Sequence, residues 1–401
     1  MTKRLLPLLA LLLIAGFACQ PPPKPALSTV TLAFTNDGRG EIRHCDCEGG
    51  AAGGIARRAG YLRQLRVEKP NGILAVEAGD FLYAAWPETD AEKQTERARA
   101  ALIADAYARA GYDAILFGAR DYALGVDALR EVATKTGAAI LGANVTDART
   151  GRPLWSATKV IRRGAVRVGL VGLMTDKKDA VPPGSAWPAD VAVENPLAVA
   201  RRIVPDLRKQ CDVLILVANL DRDELEPLLK AVPGIDFVLK SREAKIVTTQ
   251  VERLARVPVL AMYELGRYVG LLDITVVEPG KAYADLAEQQ ILERKIERYR
   301  SYVTAIEAKA GGADKVESFF TGDRPTIERY RRYRDNVERW ERELARLKPV
   351  GNRFSYQLIE LDRRVPEMAE LLAAVEAFER QYGTAETARQ NALRRHEAGG
   401  Q

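Results

Sequence analysis

Short apolar runs alternate with longer amphipathic stretches from Val30 to about Val277. Val30–Phe34 reads as a strand that ends at the polar turn Thr35-Asn36-Asp37-Gly38. Gly72–Val76 is a second strand, ending at Gly79-Asp80. Ala114–Phe117 is a third, ending at Gly118, and Ala138–Leu141 a fourth. Three more apolar runs lie at Val166–Leu173, Val213–Val217 and Phe237–Leu239. Between them, Gly54–Arg66 and Asp90–Ala110 carry helical patterns, the second stopped by Gly111. Strands that alternate with helices predict an α/β domain. Such folds build their sites from polar groups just past the C-terminal ends of strands.

The pattern changes after about Tyr283, where Glu, Arg, Lys, Ala and Tyr dominate. Ile327, Tyr330, Tyr333, Val337, Trp340, Leu344 and Leu347 recur three or four apart, which is one face of a long helix. Lys348-Pro349 and Gly351 end it, and Phe354–Leu358 reads as a short strand. Pro366 opens a further helix with an apolar stripe of Met368, Leu371, Leu372, Val375 and Phe378, and Gly383 stops it. Stripes of this kind are packing faces, so Trp340, Leu344, Leu371 and Val375 are expected to be buried. The division that follows is a leader over 1–19, a tether over 20–28, an α/β domain over 29–280, a helical extension over 281–383, and a frayed tail over 384–401 that holds His396.

The N-terminus changes the picture of where the chain works. Lys3 and Arg4 precede an apolar run, Leu5–Ala18, that closes on small residues and Cys19. A charged start, short apolar core and small-residue exit describe a secretory signal. The run falls short of the about 20 apolar residues that span a bilayer. Ala18-Cys19 looks like the end of a bacterial lipobox, although Gly16 and Phe17 depart from the usual pattern. Cys19 is therefore the expected lipid attachment, and Gln20–Pro25 an extended proline-rich spacer. The expected location is the periplasmic side of a bacterial cell envelope, tethered to the membrane through that lipid. Hydrophobic content of 47% and charged content of 28% exclude global disorder. The net charge of +6 is spread along the chain without a basic stripe and interleaved aromatics, so no nucleic-acid partner is expected.

Four ordered segments carry a resemblance. They are Thr35-Asn36-Asp37-Gly38-Arg39-Gly40 with Gly53-Gly54-Ile55-Ala56-Arg57; Ala78-Gly79-Asp80-Phe81; Gly111-Tyr112-Asp113-Ala114 with Gly118–Tyr122, Gly125 and Gly142–Val145; and Val213–Leu220 running to Pro233–Leu239. Gly266-Arg267-Tyr268-Val269-Gly270 matches a closing strand. Across Val30 to about Val277 the chain resembles the N-terminal catalytic domain of the 5′-nucleotidase family of calcineurin-like metallophosphoesterases. The resemblance implies a four-layer α/β sandwich, here with a helical C-terminal extension. It also implies a pair of divalent metal ions that activate water against a phosphorus ester.

Residue by residue, that resemblance places metal ligands at Asp37, Asp80 and Asn219, and both aspartates are present. Where it calls for His, Asn, His, His and His, the chain has Arg39, Ala119, Asn219, Arg242 and Ala244. The His-Asp pair that assists the leaving group maps to Arg120 and Asp121. A guanidinium has no lone pair to offer a metal. The expectation is a pseudoenzyme with no catalytic residues and no cofactor, whose aspartates are remnants paired with arginines. The alternatives are an anion site at Arg39, Arg120 and Arg242, and a residual metal-dependent phosphohydrolase using two divalent ions.

Glu41–Gly50 is inserted between the first two glycine motifs. It resembles an insertion in a branch of the family with a similar C-x-C pair, some members of which are joined to multihaem domains. His44, Cys45 and Cys47 are thus a candidate soft-metal or redox loop, although three such groups fall short of four ligands. No C-x-x-C-H motif is present. Three roles remain open: a non-catalytic binding or scaffold protein with an envelope protein partner, the phosphohydrolase, and an accessory to envelope electron transfer.

Overall fold

The structure, a computed structural model, describes residues 28–45, 52–69, 73–181, 187–242, 251–262, 265–347 and 351–398. For Cys45 and for 384–398 it describes the backbone alone. Along the chain the elements are β1 (Ser28–Thr35), a ribbon of β2 (His44–Cys45) and β3 (Ala52–Gly53), α1 (Ile55–Glu68), β4 (Ile73–Glu77) and α2 (Asp90–Ala110). Then come β5 (Ala114–Leu116), a 3-10 turn over Ala119–Leu124, α3 (Gly125–Thr136), β6 (Ala139–Leu141), β7 (Val145–Asp147), β8 (Thr158–Arg163), β9 (Val166–Met174) and β10 (Val191–Val193). The second half adds α4 (Pro196–Arg208), β11 (Val213–Asn219), α5 (Arg222–Ala231), β12 (Phe237–Ser241), β13 (Glu252–Leu254), β14 (Val257–Leu260) and β15 (Tyr268–Val276). Last are β16 (Ala284–Asp285), α6 (Leu286–Ala310), α7 (Val316–Phe319), α8 (Arg324–Leu347), β17 (Arg353–Glu360) and α9 (Ala369–Ala398).

Two mixed sheets lie face to face, ordered β16-β17-β15-β1-β4-β5-β6 and β13-β14-β12-β11-β9-β8. The period-2 alternation of strand side chains assigns each residue to a layer. Val30, Leu32 and Phe34 of β1 meet Val213, Ile215 and Val217 of β11 in the core between the sheets. Leu214, Leu216 and Ala218 point the other way, onto α4 and α5 through Val204, Leu207, Leu225 and Leu228. Ala33, Ala75 and Ile115 face a third core shared with α1, α2, α3 and α9. Strands buried on both faces explain why these segments read as unbroken apolar runs. Helices, sheet, sheet and helices make four layers, the α/β arrangement expected.

Past residue 281 the chain does more than append helices. β17 pairs antiparallel with β15 from Arg353 to Glu360, so it belongs to the first sheet. α9 then docks on α1 and α2, where Arg99 sits 4.9 Å from the Phe378 ring; Glu379 also pairs with Arg43 ahead of β2, and Glu367, just before the helix, lies 3.0 Å from Arg57. That helix begins at Ala369 and not at Pro366, and it runs through Gly383 to Ala398. Gly383 has no left-handed backbone, whereas Gly111, Gly137 and Gly311, which do end helices, have it. A glycine stops a helix by adopting that conformation, and the Ala, Glu, Arg and Gln that follow Gly383 favour helix. α6 and α8 form a separate hairpin in which Tyr299 meets Tyr333 and Trp340 edge to face. Leu371 and Val375 are buried as expected, but Trp340 and Leu344 are only half-buried, because the hairpin has one neighbour where α9 has several.

Candidate functional site

β1, β4 and β5 run parallel in one sheet, and β9, β11 and β12 run parallel in the other. Their C-terminal ends therefore share one edge, and the residues that follow them converge. Asp37 follows β1, Asp80 follows β4, Gly118–Asp121 follows β5, Asn219 ends β11 and Arg242 follows β12. Hydrogen bonds join the two sheets here. The Asn219 side-chain amide donates to Asp80 Oδ2 at 3.0 Å and to Ser241 Oγ at 2.8 Å, and its Oδ1 accepts from Ala119 N at 3.0 Å. Ser241 Oγ donates onward to Ala78 O at 2.7 Å. Arg242 N donates to both Asp37 oxygens, at 3.1 and 2.9 Å, and Asn36 Nδ2 donates to Asp37 Oδ2 at 2.7 Å. Arg120 N donates to Asp80 Oδ1 at 2.9 Å. Asp121 accepts from the main-chain N–H groups of Asp80, Leu82 and Gly118.

The loops that deliver these groups are held in sparsely populated conformations. Among the described residues, four of the seven non-glycine positions with positive φ are Asp37, Arg39, Asp80 and Arg242. Such conformations cost of order 1–3 kcal/mol each and cluster at functional sites. Gly118 is required by space: a Cβ there would lie 2.3 Å from Asp80 Oδ1 and 2.7 Å from Asn219 Nδ2. Beneath the Gly79-Asp80 turn, buried Glu77 accepts from Thr35 Oγ1 at 2.5 Å, Tyr107 OH at 2.7 Å and Gly79 N at 3.2 Å. Arg58 donates to Tyr107 OH at 2.8 Å. Burial pushes the Glu77 carboxyl up despite these partners and the Arg58 charge.

Two of the three guanidiniums, those of Arg242 and Arg120, do not pair with these carboxylates as the sequence suggested. The Arg242 side chain turns away from Asp37 to Asp221 and donates to Ala180 O at 3.2 Å. Arg120 donates to Ala84 O at 3.0 Å. The aspartates are met by main-chain N–H groups and by the Asn36 and Asn219 amides, because the left-handed turns aim backbone donors inward. Burial, and then neighbouring Asp80, raise Asp37 to about 7, while Arg39 acts in the opposite direction. Burial and Asp80 also raise Asp121. Burial lowers Arg120, and the charge of Arg39 adds to that. For Arg242, burial is outweighed by Asp221, and its pKa goes up.

Asp221, Lys177 and Ser241 escaped the sequence reading. Asp221 caps α5, and its Asp-x-x-Glu spacing to Glu224 was the available signal. Lys177 Nζ lies 3.0 Å from Asp221 Oδ2 and 2.8 Å from Asp223 Oδ1. Among the described residues, Asp221, Asp223 and Glu224 are the only trio of carboxylate, thiol or imidazole donors close enough to share an ion. The Lys177 ammonium already occupies it. His44 lies in the β2–β3 ribbon, opposite Gly53. The Cys45 side chain, Cys47, Ala244, Cys19 and the proline-rich spacer lie outside what the structure describes. Cys211 is a buried free thiol that donates to Leu207 O at 3.2 Å. No described helix is long and apolar enough to cross a membrane.

No family model matches the chain. A probable 5′-nucleotidase of Treponema pallidum (strain Nichols) is 26% identical over 194 residues, covering 47% of this chain and 31% of that relative. The chain thus spans about a third of the length of that curated relative. Among solved structures, a 5′-nucleotidase precursor from Thermus thermophilus superposes with a TM-score of 0.50 at 24% identity, over 62% of this chain and 52% of the other. The calcineurin-like phosphoesterase YfkN of Bacillus subtilis superposes with a TM-score of 0.51 at 14% identity, over 92% of this chain and 99% of that one. These two likenesses are of fold.

Proposed function

We propose that this chain carries the N-terminal domain region of the 5′-nucleotidase and calcineurin-like phosphoesterase family and that it is a non-catalytic binding or scaffold protein of the cell envelope. One observation carries the proposal. All four oxygens of Asp37 and Asp80 accept hydrogen bonds from the chain itself, and Asn219 presents N–H, not a lone pair, to Asp80. Divalent ions need several converging lone pairs from carboxylate, imidazole or carbonyl groups. Here Arg39, Ala119, Arg120 and Arg242 stand where the resemblance calls for such donors. The residues present therefore do not fit two divalent ions, and no step of a hydrolysis is derived through them.

A binding role for this edge has a ligand class. Burial, and then the charge of Arg39, disfavour charge on Arg120, Arg242 adding to them and Asp80 and Asp37 opposing; an anion held between Arg39 and Arg120 would relieve the repulsion between those two. Cys19 and the spacer that follows supply the membrane tether. The competing reading, a residual metal-dependent phosphohydrolase, draws on the retained Asp37 and Asp80 and on the enzymes to which the chain is similar.

Purified mature protein distinguishes them. The scaffold reading expects no stoichiometric manganese, zinc or iron and no phosphoester turnover above background with manganese added. Turnover that Asp80→Asn abolishes would overturn it. Mass spectrometry of the mature N-terminus tests the tether: a free N-terminus beyond Cys19 rules it out.

A further inference from the structure

β8 is the last strand of the second sheet. Gly164, with φ of 55°, and Ala165 make the two-residue turn into β9, so Arg163 and Val166 close that turn as a hydrogen-bonded pair. Bonded and unbonded pairs alternate along an antiparallel ladder. Ile161 and Lys159 therefore also turn their N–H and C=O groups to β9, while Arg162, Val160 and Thr158 turn theirs outward. The far side of β9 agrees, because Arg167, opposite Arg162, accepts there from Asp212 N at 2.8 Å. Of the outward groups, Arg162 O accepts from its neighbour Arg163 at 3.1 Å. Those of Val160 and Thr158, and the N–H of Arg162, have no hydrogen-bond partner among the described residues. Side chains alternate along the same strand. Ile161 packs against the core between the sheets, and Val160 against the core beneath α4 and α5; both are half-buried. Lys159 shares the face of Ile161, and Arg162 that of Val160. Both cations are exposed, and neither pairs with a carboxylate among the described residues.

We propose that β8 receives an extended segment of a partner protein by strand addition, and that this segment reads acid, apolar, apolar, acid. Running antiparallel to β8, it sets one acid opposite Arg162, its apolar pair opposite Ile161 and Val160, and the second acid opposite Lys159. The outward main-chain groups supply affinity, and the four side chains supply register and selectivity. Opposite charges facing each other across strands stabilise the pair, and like charges destabilise it. Cations on an edge strand keep unwanted strands away. Here they turn away a second copy of this chain, which would bring Lys159 and Arg162 to the same seam again. They do not turn away a strand that carries carboxylates. Residues 158–163 hold no proline that would block the pairing. None of these residues belongs to the edge where Asp37 and Asp80 meet, so a metal or a turnover found there leaves β8 untouched.

The test titrates the mature protein with a capped peptide, Thr-Glu-Val-Val-Glu-Thr, and with its basic counterpart, Thr-Lys-Val-Val-Lys-Thr, followed by calorimetry and by hydrogen exchange. The acidic peptide is expected to bind with a Kd on the order of 1 mM or tighter. At about ten times that Kd it should slow exchange of the Val160 and Arg162 amides about tenfold. The basic peptide should bind at least about tenfold more weakly. Lys159→Glu combined with Arg162→Glu should exchange the two preferences. Val160→Pro removes an outward N–H that takes no part in the ladder to β9, a place where edge strands tolerate proline. It should abolish binding while the thermal transition stays near that of the wild type. If Val160→Pro does not fold, the exchange of preferences decides alone. No binding of the acidic peptide at concentrations on the order of 10 mM, equal binding of the two peptides, or binding that Val160→Pro leaves untouched overturns the proposal.

Discussion

Asn219→Ala is the substitution that interrogates the candidate site most directly. The side chain is fully buried and makes three hydrogen bonds, two of them to the loops of the other sheet. Ser241 Oγ would keep its bond to Ala78 O. Asp80 Oδ2 and Ala119 N would lose the partner that the described residues give them. Two buried groups left unsatisfied cost roughly 1–3 kcal/mol each, so the expected loss is roughly 2–6 kcal/mol, towards the upper end because one is a carboxylate. Asn219→Asp should be worse still at neutral pH, since it sets a second carboxylate 3.0 Å from Asp80 Oδ2. The assay is urea denaturation of wild type and both variants, each with manganese and with chelator. If the edge holds no metal, manganese shifts none of the midpoints. If Asn219 instead ligates an ion through Oδ1, manganese at about a thousandfold over its Kd adds about 4 kcal/mol to the wild type. The reasoning is refuted if that shift appears and vanishes in Asn219→Ala, or if Asn219→Ala costs less than about 1 kcal/mol.

Two further outcomes are expected. Asp37 has a native pKa of about 7 against an ordinary 3.8, so its contribution to stability is fully present below about pH 4 and is lost as pH rises through 7; Asp37→Asn should flatten that part of the stability–pH curve in denaturation midpoints. Leu371→Ala, in the core against α1 and α2, should cost roughly 2–5 kcal/mol, whereas Leu344→Ala, half-buried on the hairpin, should cost no more than about 1–2 kcal/mol; chemical denaturation measures both, and equal losses would mean that the hairpin has a partner covering it.

The sequence was legible wherever local pattern decides the answer. The apolar runs that became β1, β4, β9 and β11 announced themselves because both faces of each strand are buried. The meeting of Asp37, Asp80, Asp121, Asn219 and Arg242 followed from their places just after parallel strands. What a sequence does not encode locally was missed. The direction of a long side chain is one example: arginines were expected to pair with the aspartates, but at Arg242, whose φ is 66°, the N–H meets Asp37 and the guanidinium goes to Asp221. The membership of β17 is another, because nothing in residues 353–360 states which strand they join. Gly383 misled in the opposite way, since its stop signal depends on a backbone conformation that it does not adopt.

The pairing of β15 imposes an order of events in time. Val276 lies opposite Ser28 on one side, and Tyr268 lies opposite Glu360 on the other. A chain made from its N-terminus therefore offers β1 no neighbour on that side until some two hundred residues later, and β15 then waits for nearly a hundred more. Throughout that interval a mid-sheet strand has a bare row of N–H and C=O groups, the kind of surface on which other chains assemble. The first sheet can therefore close only when synthesis has passed β17.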